Sequence, residues 1–237
     1  MLVKTRGIVL NFIKFRESSI IVRIYTEELG LQSYVVNSVR KKGSASRIAL
    51  FQPFTLLEMV VYPSAKGGLT RISEYKCYYP FSTVPYDIRK SSILLFLSEV
   101  VARTVREEEE NRPLFGFLHD SMLYFDQQKA GFEDFHLVFL VQLASYLGFG
   151  ISSADEVISQ VAFETGGSNF LGTSLMQIQR LEPFLQDLLQ KGAAAHLPNG
   201  KVRRELLHLL VKYFQLHVDQ LGEIKSLAVL SEVLNEP

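Results

Sequence analysis

Residues 40–47 read Arg-Lys-Lys-Gly-Ser-Ala-Ser-Arg, four cations set among glycine and hydroxyl residues in a segment with no apolar period. Such a stretch offers point charges together with backbone and hydroxyl donors, the chemistry that holds phosphate oxygens. It equally fits an ordinary solvated loop, because short basic clusters are common. Further cations occur in the same half of the chain, and the expected phosphate-contact set is Arg16, Arg23, Arg40, Lys41, Lys42, Arg47, Lys66 and Arg71. Arg23 and Tyr25 form a weaker motif: side by side on one strand face, an arginine and an aromatic ring can hold a stacked base.

The charge balance supports a polyanionic partner. The whole chain of 237 residues carries 25 basic and 25 acidic side chains, yet residues 1–80 hold twelve basic against five acidic, a net +7, and residues 81–237 carry the compensating −7. Asymmetry of this kind points to a surface that meets nucleic acid or another acidic partner.

The elements that must position these cations follow from periodicity. Residues 5–79 read as five short strands, Thr5 to Phe15, Ile20 to Tyr25, Leu31 to Val39, Phe54 to Tyr62 and Leu69 to Tyr78, separated by turn residues and without a helical period. In the second strand Ile20, Val22 and Ile24 are expected to face a core, with Ile21, Arg23 and Tyr25 facing outward. Five short strands suggest a small closed barrel, and its longest connections, 40–46 and 63–68, are the expected binding loops. After Pro80 apolar stripes at helical spacing predict helices over 88–105, 114–125, 135–147, 175–189, 203–221 and 224–234, with 148–173 as an irregular excursion. The expected class is therefore α+β, with a β-barrel domain over 1–80 and an all-α domain over 81–237.

Other chemistries find little support. One cysteine, Cys77, leaves no intrachain disulfide and no cysteine-built zinc site. Glu107 to Glu110 cannot converge on one ion, since consecutive helical residues point about 100° apart. His208 and His217 lack metal-ligand spacing, and the glycine pairs at 67–68 and 166–167 match neither a phosphate loop nor a dinucleotide fingerprint. No catalytic residue, metal or cofactor is expected, no small-molecule substrate, and no membrane partner: nowhere do about 18 apolar residues run together, so the chain reads as cytoplasmic.

A resemblance sharpens this reading. Thr5-Arg6-Gly7-Ile8-Val9-Leu10, Phe15-Arg16-Glu17-Ser18-Ser19 and Thr26-Glu27-Glu28-Leu29-Gly30-Leu31 resemble the N-terminal signature of the RecO family of bacterial recombination mediators. The likeness continues through Gln52-Pro53-Phe54 with Leu57-Glu58 and returns at Tyr213-Phe214-Gln215-Leu216-His217, Lys225-Ser226-Leu227 and Leu230. It implies an N-terminal OB-fold, a helical second domain and a non-enzymatic role in DNA repair and recombination. The implied activities are binding of single- and double-stranded DNA, strand annealing and, with RecR, loading of RecA onto DNA covered by single-stranded DNA-binding protein, which places the protein at the nucleoid during repair. Many relatives carry a four-cysteine zinc module between 148 and 175; this chain has no cysteine there. In relatives the acidic, apolar tail of single-stranded DNA-binding protein docks on the helical domain, and Arg103, Arg106 and Arg112 beside Leu114 and Phe115 are the expected counterpart here.

Two rival classes remain distinguishable. A protein–protein adaptor would direct its basic barrel at acidic partners and ignore DNA. A nuclease would need clustered carboxylates or a nucleophile–base pair, neither of which is readable.

Overall fold

The computed structural model describes residues 2–39, 45–63, 68–106, 108–164 and 178–234. Five strands, β1 (Val3–Phe15), β2 (Ser19–Thr26), β3 (Gly30–Val36), β4 (Leu56–Val61) and β5 (Thr70–Tyr79), close into a barrel in the order β1-β2-β3-β5-β4. Neighbours are antiparallel except β3 and β5. One long strand closes the barrel: β1 pairs with β4 through its first half and with β2 through its second, and Gly7, opposite both Thr26 and Leu57, lies where the partners change. The crowding there explains the glycine, since a Cβ on Gly7 would lie 2.6 Å from Ile24 Cγ2 and 2.7 Å from Met59 Cε. The expected alternation in β2 puts Ile20, Val22 and Ile24 into the core with Val9, Tyr34, Phe51 and Met59.

Between β3 and β4 the structure adds α1 (Ala45–Ala49), one short helix inside a half expected to hold none. Helices α2 (Ile88–Thr104) and α3 (Arg112–Gln127) follow the barrel, with Asp87 and Asn111 as their N-caps, accepting from Arg89 N at 2.9 Å and Leu114 N at 3.0 Å. The chain divides into two compact units, Met1–Gln128 and Lys129–Pro237. The change from strand to helix does fall near residue 80, but the first compact unit continues through α3 because barrel and helices share buried contacts.

The strongest of these is polar. Asp126 is fully buried and accepts from the backbone N–H groups of Ser82 (2.9 Å), Thr83 (2.9 Å) and Val84 (3.1 Å), and from the Ser82 hydroxyl (2.9 Å). Burial alone would raise its carboxyl, but these donors outweigh it and hold the pKa down at about 2. Lys90, 2% exposed, donates to Thr83 Oγ1 (2.7 Å) and to the carbonyls of Phe125 (2.9 Å), Asp126 (3.2 Å) and Gln128, supplying partners to carbonyls that α3 leaves unpaired at its C-terminus. The segment entering α2 is thus fastened to the end of α3.

The second unit is helical: α4 (Phe135–Tyr146), α5 (Ala154–Glu164), α6 (Glu182–Lys191), α7 (Gly200–His217) and α8 (Ser226–Val233). Its core holds Leu137, Leu140, Val157, Val161, Leu206 and Phe214. Helix α5 corrects the expectation of an irregular excursion over 148–173; its inward stripe of Ala154, Val157, Ile158 and Val161 gives it a helical face to bury. Residues 165–175, including Gly166, Gly167 and the expected helix start at Leu175, lie outside the described residues. His136 is fully buried in this unit, and burial, reinforced by the Arg203 charge, pushes it down to about 3.

Candidate nucleic-acid interface

The pairing register places three connections at one end of the barrel. Phe15 pairs with Ser19, Ile20 with Val36, and Val35 with Arg71 in parallel, so the ends of β1 and β3 and the starts of β2 and β5 share that end. The 16–18 turn, the 37–44 connection and the 62–69 connection therefore leave the barrel together. At the opposite end the β2–β3 turn is held by β1 and by the start of α3. Arg6 forms a bidentate pair with Glu27 (2.8 and 2.6 Å), and Arg112 reaches Glu28 at 3.1 Å.

At the open end Arg16 is exposed in a left-handed conformation (φ 51°), with its guanidinium carbon 5.0 Å from the centre of the Phe15 ring. Arg71 is exposed at the start of β5. The stem of the 62–69 connection is closed by Tyr62 N donating to Arg71 O (3.3 Å) and Thr70 Oγ1 to Tyr62 O (2.6 Å). Lys14 and Tyr62, both exposed and neither singled out from sequence, flank the same loops; an aromatic residue directly before a Gly/Ser-containing basic loop is a signal that could have marked Tyr62. Arg47 is exposed on α1, and its charge opposes the upward push that burial gives the Tyr75 phenol. Arg40, Lys41, Lys42 and Lys66 lie outside the described residues.

Arg23 and Tyr25 do not form the expected outward pair. Arg23 Nη1 donates to the carbonyl of Ala102 at 2.9 Å, and burial, with the nearby Arg106 charge, lowers its pKa. Tyr25 is fully buried and stacks on Phe115 (centroids 6.4 Å, interplanar angle 27°). Both do point away from the barrel core, but α2 and α3 cover that part of the sheet. The expected docking groove fails for the same reason. Phe115 is 1% exposed and packs between Tyr25 and His119, with the Arg6 guanidinium 5.3 Å from its ring centre, and Leu114 is fully buried. Arg103 is paired with Glu99 (2.5 Å), Arg112 with Glu28 and Glu110, and Arg106 is exposed.

An apolar cavity of about 610 Å³ also lies in the first unit, lined by Leu50, Pro53, Tyr79, Phe81, Leu94 and Leu95 among others. Among the described residues no charged side chain lines it. Among the described residues no group of three or more His, Cys, Asp or Glu side chains could hold a metal ion, and no helix is long and apolar enough to cross a membrane.

Comparison with known proteins joins this geometry to a family. The family described as Recombination protein O N terminal matches residues 1–81, and that described as Recombination protein O C terminal matches residues 85–228. The chain belongs to the RecO family. Named DNA repair protein RecO, a relative from Bacteroides fragilis is 37% identical over 99% of this chain and 100% of its own length. The proteins of that name from Flavobacterium psychrophilum and Phocaeicola vulgatus are 35% and 34% identical over the same shares. The barrel is thus the OB-fold of a RecO protein, and the family is one of DNA repair and recombination.

Proposed function

We propose that this protein is a non-enzymatic recombination mediator that binds single- and double-stranded DNA through its OB-fold, led by phosphate contacts. The observation that carries the reading is the shared exit of the 16–18, 37–44 and 62–69 connections from one end of the barrel, with Arg16 and Arg71 exposed beside them. Arg40, Lys41, Lys42 and Lys66 belong to two of those connections by sequence. Contacts of this kind hold a strand by its backbone and leave base edges free to pair, which is what annealing requires. Acting with RecR, the protein loads RecA onto DNA coated by single-stranded DNA-binding protein, in the cytoplasm at the nucleoid. No residue is assigned to docking of that coating protein's tail, since Phe115 is buried.

Replacing Arg40, Lys41, Lys42 and Arg47 together by Ala tests the reading. Affinity is expected to fall for every oligonucleotide sequence alike, with a shallower salt dependence. Unchanged DNA affinity, with salt-sensitive binding to an acidic protein partner, would instead favour the adaptor role.

A further inference from the structure

Two of the three connections at the open end are tied to each other by a side-chain hydrogen bond. Ser19 follows the 16–18 turn and Asn37 follows the last residue of β3, and the pairing of Ile20 with Val36 brings them opposite each other. The Ser19 hydroxyl donates to Asn37 Oδ1 at 3.0 Å, with Ser19 buried and Asn37 exposed. The backbone on either side of this bond is held in a conformation that side chains disfavour, since Arg16 (φ 51°) and Ser38 (φ 61°) both lie in the left-handed region. Strain of this kind persists only where the surroundings enforce it, and it gathers at functional sites. Two residues beyond the exposed Asn37 the chain is back in the barrel core, where Val39 is 1% exposed.

The far side of the same stretch is equally fixed. Phe51, fully buried, shares that core with Val39 and packs against the Tyr75 ring (centroids 5.0 Å, interplanar angle 54°). Its backbone N–H donates to Ile48 O at 3.0 Å, which joins α1 and its exposed Arg47 to the core. The chain thus leaves the core at Val39 and returns to it at Phe51, and the basic 40–47 stretch lies between these two fixed points.

We infer that Ser19 and Asn37 are positioning residues for DNA binding: their bond sets the 16–18 turn and the start of the 37–44 connection at a fixed spacing, so that the cations there meet phosphates without first being ordered. The inference rests on the DNA-binding reading above and adds to it the source of part of the affinity. Ordering loops on binding weakens affinity, and a site ordered beforehand avoids that loss. Such a bond has a signature of its own. Salt dependence counts the phosphates neutralised, whereas ordering the site beforehand changes affinity by the same factor at every salt concentration.

The test is fluorescence anisotropy of a labelled oligothymidylate at several salt concentrations, on the full-length protein and its Ser19→Ala, Asn37→Ala, double-alanine and Ser19→Thr variants. Each alanine variant is expected to bind about fivefold weaker with the wild-type log–log salt slope. The double variant should bind no more weakly than either single one, because the two side chains act as a unit, and Ser19→Thr, which keeps the hydroxyl, should bind as the wild type does. Ser38→Gly gives a second route, since glycine accepts a positive φ freely. It should lose affinity by a similar factor with a melting temperature no lower than the wild type's, a combination that a purely structural turn does not produce. Wild-type affinity in both single alanine variants overturns the inference. So does a loss in Asn37→Ala alone, which makes Asn37 a direct contact, or a shallower salt slope in either. The Arg16→Ala/Arg71→Ala variant separates the two levels. If it binds as the wild type does, the DNA site itself is misplaced; if it weakens binding while the alanine variants at Ser19 and Asn37 do not, only the positioning role fails.

Discussion

Arg23 and Ala102 are joined by a 2.9 Å hydrogen bond from the arginine guanidinium to the main-chain carbonyl of α2, so a cation of the barrel's outer face ends on a helix instead of on a ligand. Arg23→Ala is therefore expected to act on stability. A charged hydrogen bond to a carbonyl contributes about 1.5 to 3 kcal/mol, and its loss lowers the melting temperature by several degrees. DNA affinity should stay within about twofold, since 1.4 kcal/mol is a factor of ten and no phosphate contact is removed. Thermal melting and anisotropy on the same preparation check both halves.

Asp126 holds the Ser82–Val84 segment through a carboxylate kept at about pKa 2. Because the ordinary Asp value is about 3.9, its contribution of roughly 2 kcal/mol is complete above about pH 5 and is lost as pH falls towards 2. Asp126→Asn removes it at neutral pH and turns one acceptor into a donor facing other donors. Denaturant unfolding should show a loss of about 2 to 4 kcal/mol in the first unit at pH 7 and a much smaller difference from wild type near pH 2.

His136 gives the second unit a weakness of the same sign at milder acidity. Its folded pKa near 3 lies below the ordinary 6.5, so the unfolded chain takes up a proton first, and stability falls by about 1.4 kcal/mol for each pH unit below about 6.5. Hydrogen exchange at pH 5 should show residues 129–237 losing protection before residues 1–128. His136→Gln should flatten the pH dependence, at the cost of lower stability at pH 7.

Gly7→Ala places a methyl group against Ile24 and Met59 where β1 changes partners. The Met59 end can rotate away but the Ile24 branch is held in the core, so a loss of about 1 to 3 kcal/mol is expected, read as a lower denaturant midpoint at an unchanged slope.

How much of this was legible in the sequence depended on the range of the interaction. Alternation in Ile20-Ile21-Val22-Arg23-Ile24-Tyr25 placed every inward residue of β2, because period-two burial is a local property. It could not say what lies outside the barrel, so Arg23 and Tyr25 read as exposed when α2 and α3 cover them. The same blindness made Phe115 a surface anchor. Lys90 and Asp126 did leave a trace. Each lies four residues from an inward apolar partner, Leu94 and Met122, a position where a charge must find an internal mate.

The most direct test of the central claim, that the loop end of the OB-fold binds DNA by its phosphates, is a salt titration of oligonucleotide anisotropy for the wild type and the Arg16→Ala/Arg71→Ala variant, on two unrelated sequences. The account predicts equal affinities for both sequences, a steep negative log–log salt slope, and a slope shallower by about 2 in the variant. A variant with the wild-type slope and affinity would contradict it.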